Sequence, residues 1–283
     1  MQKIEHIGIA VKDIEESNKL FAKLLNTEHY KIEAVPSEGV ITSFFQVGEV
    51  KIELLQATCE SSAIHKFIEN KGEGVHHIAF AVSNIKTEIE RLKKEAQNEW
   101  NTKLNKIAVT SKNTDHKTNF YTALYHTMIA PNLYQDVDGR YRGMDQEIHQ
   151  TKVFDYYTVF SLWDTYRATH PLFTLIEVQK TNDFINTFLA KYEEGGIMPI
   201  WDLAGNYTDC MIGYHAVPVI ADAYLKGIRN YDTKKALEAM KHSALQDKLG
   251  LDSYKKIGFI PVEKESESVS KTLEYAYDDW SIA

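Results

Sequence analysis

The chain has 283 residues, a net charge of −8, 43% hydrophobic and 25% charged residues, the make-up of an ordinary globular protein long enough for two domains. An acidic balance argues against a nucleic-acid backbone or an anionic membrane as partner, because neither rewards an acidic face. No apolar run approaches the roughly 20 residues that span a bilayer. The first residues show no secretory pattern, and Cys59 and Cys210 lie far apart, so the expectation is a cytoplasmic protein with two free thiols.

The first predicted element is a strand, His6-Ile7-Gly8-Ile9-Ala10-Val11, with Ile7, Ile9 and Val11 on one face and His6 opening the other. Asp13 is placed as the cap of a helix carrying Ile14, Phe21, Leu24 and Leu25. Strand-like runs follow at His29–Val35, Val40–Val47 and Val50–Gln56, separated by Pro36-Ser37-Glu38-Gly39 and Gly48. A short helix is expected over Ser62–Asn70. Then the opening pattern returns as His77-Ile78-Ala79-Phe80-Ala81-Val82-Ser83-Asn84-Ile85, followed by a helical stripe at Ile85, Ile89 and Leu92. The first copy therefore reads βαβββ and the second only βα, a half-module whose three remaining strands have no counterpart before the composition changes. The stripe continues through Ala96, Trp100 and Leu104 with no Pro, Gly or polar linker, so one helix is expected to run across the change.

Beyond residue 106 the pattern is helical and aromatic. Helices are predicted near 118–129, 155–168, 172–179, 182–193, 215–229, 233–247, 252–257 and 267–282. The expected caps are Thr181 or Asn182, Asp232 or Thr233, and Asp252 or Ser253, with stops at Gly195-Gly196 and Gly250. Asp138-Gly139 suggests a small hairpin. The fold class is thus two-part: an N-terminal α+β segment (a βαβββ module plus a βα half-module) and a mostly α C-terminal segment.

Two resemblances sharpen this reading. The strings IEHIGIAVKDIEESNKLF, SEGVITSFF, KIELLQAT and KGEGVHHIAFAV resemble the methylmalonyl-CoA epimerases of the vicinal-oxygen-chelate superfamily over residues 1–94. That resemblance implies a metal held by His6, Glu53 and His77, with a fourth ligand on a strand that has no counterpart here. The cofactor implied is a divalent transition metal of cobalt type, whose open positions take substrate oxygens while a base removes the proton beside an acyl-CoA thioester. Glu38 is the residue expected to serve as one acid/base group. Glu53 can also be read as a solvated strand residue; His76 reads as structural and His65 as surface. Pairing of modules between two subunits, as in that superfamily, would make a homodimer through the N-terminal module.

The strings FYTALYHTMIAPNLYQDVDGRYRGMD, YYTVFSLWDTYRATHPL, GGIMPIWDLAGNYTDCMIGYHAVPVIADAYLKGI and ESVSKTLEYAYDDWSIA resemble glycoside hydrolase family 92 over residues 95–283. The resemblance implies calcium-dependent, inverting α-mannosidases whose (α/α)6 toroid is only partly represented, and whose relatives are usually exported. Trp163, Asp164, His215 and Asp202 are the implied sugar-binding residues, an aromatic face packing on sugar C–H groups while a carboxylate accepts from paired hydroxyls. Trp163 alone would read as core packing, and Asp164 as the partner of Arg167. The family's acid, base and most calcium contacts are expected outside the matched region, and Asp278 and Asp279 are read as structural. Four functions are therefore weighed: a composite with neither activity intact, an α-mannoside glycosidase, an epimerase completed by module exchange, and a non-catalytic sugar-binding module.

Overall fold

The computed structural model describes residues 2–283, and the chain divides into two compact units on either side of the Asn101–Thr102 bond. The first unit runs β1 (Lys3–Ala10), α1 (Ile14–Leu25), β2 (Lys31–Val35), β3 (Val40–Val47), β4 (Val50–Ala57), α2 (Ala63–Lys71), β5 (Gly74–Ala81) and α3 (Ile85–Leu104), the last carrying the chain past the division. Its sheet has the order β2-β3-β4-β1-β5, with β1 parallel to β4 and antiparallel to β5. Asp13 caps α1 by accepting from the Glu15 and Glu16 amides, and Ser62 caps α2 by accepting from Ile64. Neighbouring leucines on β4 serve opposite faces: Leu54 packs with Val11, Ile14 and Phe45, and Leu55 packs with Ala10, Val40 and Ile64 of α2. Burial on both faces explains why β4 reads as an apolar pair rather than a strict alternation. Asn84 accepts from the Lys86 and Thr87 amides at the start of α3, yet no residue of α3 is buried.

The second unit contains α4 (Thr114–Thr127), β6 (Asn132–Leu133), β7 (Arg140–Arg142), β8 (Ile148–Gln150), β9 (Tyr157–Thr158), α5 (Leu162–Thr165), α6 (Thr169–Ile176), α7 (Val178–Gly195), β10 (Asp202–Leu203), β11 (Asn206–Tyr207), α8 (Ala216–Leu225), α9 (Thr233–Leu245), α10 (Leu251–Ile257) and α11 (Ser268–Ile282). Its core is aromatic, built from Tyr157, Phe160, Phe173, Phe184, Phe188, Tyr214 and Tyr275 with aliphatic residues of α7 to α9. Helix α7 packs against α6, α8 and α9, and α11 packs against α8 and α9. Among the described residues, no helix is long and apolar enough to cross a membrane.

Several predicted boundaries are corrected. The helix expected over 155–168 is mostly absent: the Tyr156 carbonyl, which a helix would offer to Phe160, accepts instead from the Tyr134 amide at 2.8 Å, and Val159 sits at φ 64°. That left-handed backbone is costly for a β-branched residue and ends any helix there. Thr181 and Asn182 are not caps; both lie inside α7 and bond back to the carbonyls of Glu177 and Val178. The break falls at Glu177, between α6 and α7. Helix α10 starts after Gly250 (φ 80°) with no side-chain cap from Asp252 or Ser253, while α9 already stops at Leu245. Asp138-Gly139 does form a tight turn, with the Gly139 amide donating to the Asp136 carbonyl at 2.8 Å and the Asp136 amide to the Arg140 carbonyl at 2.7 Å, while the β7–β8 hairpin after it is closed by Gly143 and Gln146. Asp232 and Gly196 do terminate their helices as expected.

One ion pair inside this unit is entirely dry. Lys191 of α7 and Asp202 of β10 are both fully buried and hydrogen-bonded to each other, and Asp202 also accepts from Thr158 Oγ1 at 2.9 Å and from the Phe160 amide at 3.2 Å. Removing one partner of such a pair strands the other charge. Asp202→Ala is expected to destabilise the unit by about 3–5 kcal/mol, with much of the loss recovered when Lys191→Met is added. Urea midpoints followed by near-ultraviolet circular dichroism check both changes; a loss below about 1 kcal/mol contradicts the assignment.

Candidate functional site

The repeat places its chemistry in one cross-strand row. Gly8 of β1 pairs with Glu53 of β4 on one side and with His77 of β5 on the other, and His6 lies two residues back on the same face. Gly8 has no side chain, so those of its neighbours can meet above it: a Cβ there would sit 2.3 Å from His77 Cε1. As a result His6 Nε2 is 2.9 Å from His77 Nε2 and 3.1 Å from Glu53 Oε2, with His77 Nε2 3.6 Å from the same oxygen. Among the described residues this is the group of three His, Cys, Asp or Glu side chains whose atoms converge within 4.8 Å. A tetrahedral ion with bonds near 2.1 Å needs ligand atoms about 3.4 Å apart, so the donor set and its spacing fit a divalent metal.

Surrounding groups tune these three side chains. A register shift between Ile4 and His6 makes Glu5 the extra residue of β1, and the bulge lets this adjacent carboxylate reach His6 Nδ1. Glu5 is in turn held by Lys51, and that hydrogen bond, with the one from His6, keeps its carboxyl below the usual range. Fixing one imidazole nitrogen selects the tautomer that presents the other. Glu53 is 8% exposed, and its burial raises its pKa. Burial, with His6 and His76 nearby, lowers that of His77 and favours the neutral form a metal requires. His76 Nδ1 lies 3.0 Å from His77 Nδ1, and its ring meets Phe67 edge-on. Glu38 is exposed in the turn between β2 and β3, outside this group. His65 sits on α2 beside Glu69.

In the second unit the expected sugar residues fall into three settings. Trp163 and Asp164 lie on the single turn of α5, half-buried and exposed respectively. Asp164 accepts from Ser161 Oγ at 2.5 Å, and Ser161 accepts from Trp201 Nε1 at 2.9 Å, so the carboxylate is aimed by a two-bond relay and not by Arg167. His215 is 1% exposed, stacked on Tyr166 at 4.2 Å, with Nδ1 2.8 Å from Asp278 Oδ1. Asp202 belongs to the dry ion pair, with no exposed surface. The sequence reading did not single out Glu5, Gly8 or Glu274; only the small residue shared by both copies of the repeat, Gly8 against Ala79, hinted at Gly8.

Gly8 and Glu5 can be tested without a substrate. Gly8→Val should displace His77 and weaken cobalt(II) binding at least as much as losing a ligand does. Glu5→Ala should weaken it about 10–100-fold by freeing His6. Affinity should fall on acidification below the ordinary imidazole range, because protons compete with the metal for His77, whose pKa burial has lowered. Isothermal titration with cobalt(II) measures all three effects, and unchanged affinity in both variants would remove Gly8 and Glu5 from the site.

Comparison with known proteins assigns each segment. Residues 5–108 match the family model of the glyoxalase/bleomycin resistance protein/dioxygenase superfamily, and residues 79–283 match that of the glycosyl hydrolase family 92 catalytic domain, the two overlapping across α3. The N-terminal segment is 36% identical over 92 residues to the uncharacterised protein YqjC of Bacillus subtilis, covering 32% of this chain and 66% of that one. It is 35% identical over 92 residues to an ethylmalonyl-CoA/methylmalonyl-CoA epimerase of Cereibacter sphaeroides, covering 32% of this chain and 69% of the epimerase. The remainder is similar to a family GH92 α-mannosidase from Bacteroides thetaiotaomicron solved with mannoimidazole, at 45% identity and a TM-score of 0.65, covering 68% of this chain and 25% of the mannosidase. The chain thus spans less than two thirds of both YqjC and the mannosidase. It belongs to glycosyl hydrolase family 92, and its N-terminus carries a glyoxalase-superfamily domain with methylmalonyl-CoA epimerase homologues.

Proposed function

We propose that the chain is a composite of two enzyme inheritances, joined inside α3 near residues 94 and 95, that binds a metal in one unit and a mannoside in the other. In this reading it turns over neither family's substrate at a full enzyme's rate. The observation that carries it is the strand inventory. After β5 the chain enters α3, and among the described residues every later strand has two or three residues. A ligand and an acid/base group borne on the closing strands of a second βαβββ module have no strand to stand on. His6, Glu53 and His77 would hold a divalent ion, which when bound supplies Lewis-acid polarisation of a substrate oxygen. Glu5 would orient His6, Gly8 would keep the place of His77 open, and Glu38 would be the one acid/base group left, for an acyl-CoA substrate.

In the second unit, read as part of an α/α toroid, Trp163, Asp164 and Arg167 offer an aromatic face, a carboxylate and a guanidinium to an α-mannoside. Inverting hydrolysis needs two working carboxyl groups roughly 6.5–9.5 Å apart. The carboxylates beside this cluster are already engaged: Asp278 by His215 and the Tyr214 amide, Glu274 by the Trp163, Tyr166 and Arg167 side chains. That leaves binding as the stronger expectation. A second reading, in which two copies complete the epimerase site, is favoured by β5 being an edge strand with Ile78 and Phe80 about half exposed.

General acid–base groups are commonly worth 10²–10⁴-fold each, so turnover should lie at least about 100-fold below a full-length member of either family. The assay supplies cobalt(II) or calcium with methylmalonyl-CoA or an α-mannoside, beside those reference enzymes. Turnover within about tenfold of either reference overturns the composite reading, and epimerisation that rises with the square of protein concentration favours the second one.

A further inference from the structure

Outside the expected sugar residues, one carboxylate gathers more side chains than any of them. Glu274 of α11 is 17% exposed at its side chain. Its Oε1 accepts from Trp163 Nε1 at 3.3 Å and from an Arg167 guanidinium nitrogen at 2.9 Å; its Oε2 accepts from the Tyr166 hydroxyl at 3.2 Å. His215 Nε2 lies 3.4 Å from Oε2, in ion-pair range though not aligned for a hydrogen bond. The far side of that imidazole is fixed by Asp278, one helical turn after Glu274 on α11, and Asp278 also accepts from the Tyr214 amide at 2.7 Å. Room for the His215 ring comes from Gly213 at φ 78°, where a Cβ would stand 2.3 Å from His215 Nε2. Arg167 lies over both aromatic rings, 4.6 Å from Tyr166 and 5.6 Å from Trp163.

We infer that Glu274 is the positioning residue of a carbohydrate site formed by Trp163, Asp164 and Arg167, fixing the indole plane and the guanidinium so that a sugar meets them in one orientation. The inference rests on the mannoside-binding reading and adds to it the residue that organises the surface. The chemistry is specific. Oε1 of Glu274 already accepts from two donors and Oε2 from one, with the His215 ring against it, so the carboxylate has little capacity left to accept from a ligand or a proton-transfer partner. What it can do is hold rotamers. The indole N–H and guanidinium, released from it, would sample several orientations and lose the preorganisation that makes a shallow polar–aromatic face bind a polyol.

The test uses the full chain with mannoimidazole as the probe, reading affinity by calorimetry and the environment of Trp163 by tryptophan emission, assigned with Trp163→Phe. Glu274→Gln keeps the shape but removes the charge that the three donors answer. Affinity is expected to fall about tenfold or more, consistent with losing charge-assisted hydrogen bonds. The ligand-induced emission change of Trp163 should disappear while near-ultraviolet circular dichroism is kept, a combination that a purely structural role would not give. If Glu274→Gln fails to fold, Arg167→Ala replaces it: the residue is half exposed, and its loss should weaken binding about fivefold or more. Wild-type binding with a variant affinity within about twofold and an intact emission change overturns the positioning role and leaves the mannoside reading standing. Absence of wild-type binding at millimolar probe sinks the mannoside reading and this inference with it.

Discussion

A carboxylate cut off from water must be answered by donors or it will not stay charged. Asp202 is answered by Lys191, Thr158 and the Phe160 amide, and those three bonds tie α7, β9 and β10 into one body. The same bonds hold the chain through Val159 in a backbone region its side chain disfavours. From there the path runs through Ser161, which touches Trp201 on one side and Asp164 on the other. The surface turn bearing Trp163 and Asp164 therefore takes its place from a pair that no ligand can reach.

The first unit solves a different problem with an absence. Three strands bring two imidazoles and a carboxylate to one row, and the middle position of that row must be empty for them to meet. Gly8 supplies the emptiness, while the bulge at Glu5 supplies the orientation of His6. Both devices are backbone features, so the convergence of the three side chains is decided by β1, β4 and β5.

Legibility in the sequence followed the reach of the forces involved. Period-two alternation around His6 and His77 is local, and the strands expected over Val40–Val47 and Val50–Gln56 formed as Val40–Val47 and Val50–Ala57. The trio His6, Glu53 and His77 was readable because the repeat marks equivalent positions and the family resemblance supplies the middle ligand. Residues 155–168 misled because their aromatic spacing suits a helix, whereas the decisive acceptors and donors, the Tyr134 amide and the Asp202 carboxylate, come from distant segments. Asp202 and His215 were expected beside the sugar on their residue type, but burial is a property of the whole fold, and both lie beneath the surface. Glu274 gave no signal of its own, since its four neighbours are supplied by α5 and by segments adjoining α5 and α8.

Helix α3 has a consequence of another kind. Ile85, Ile89 and Leu92 are 61%, 56% and 41% exposed, no residue of the helix is buried, and Arg91 with Glu88 and Glu95 forms ion pairs along its surface. A helix that buries no residue draws little stability from a packed core. Its amide protons can then exchange with solvent through openings of a few residues, with protection far below that of the strands of β1 or the buried turns of α7. The segment in which the two family matches overlap is therefore more readily opened than either core, and a protease sampling those openings would cut there before either core gave way.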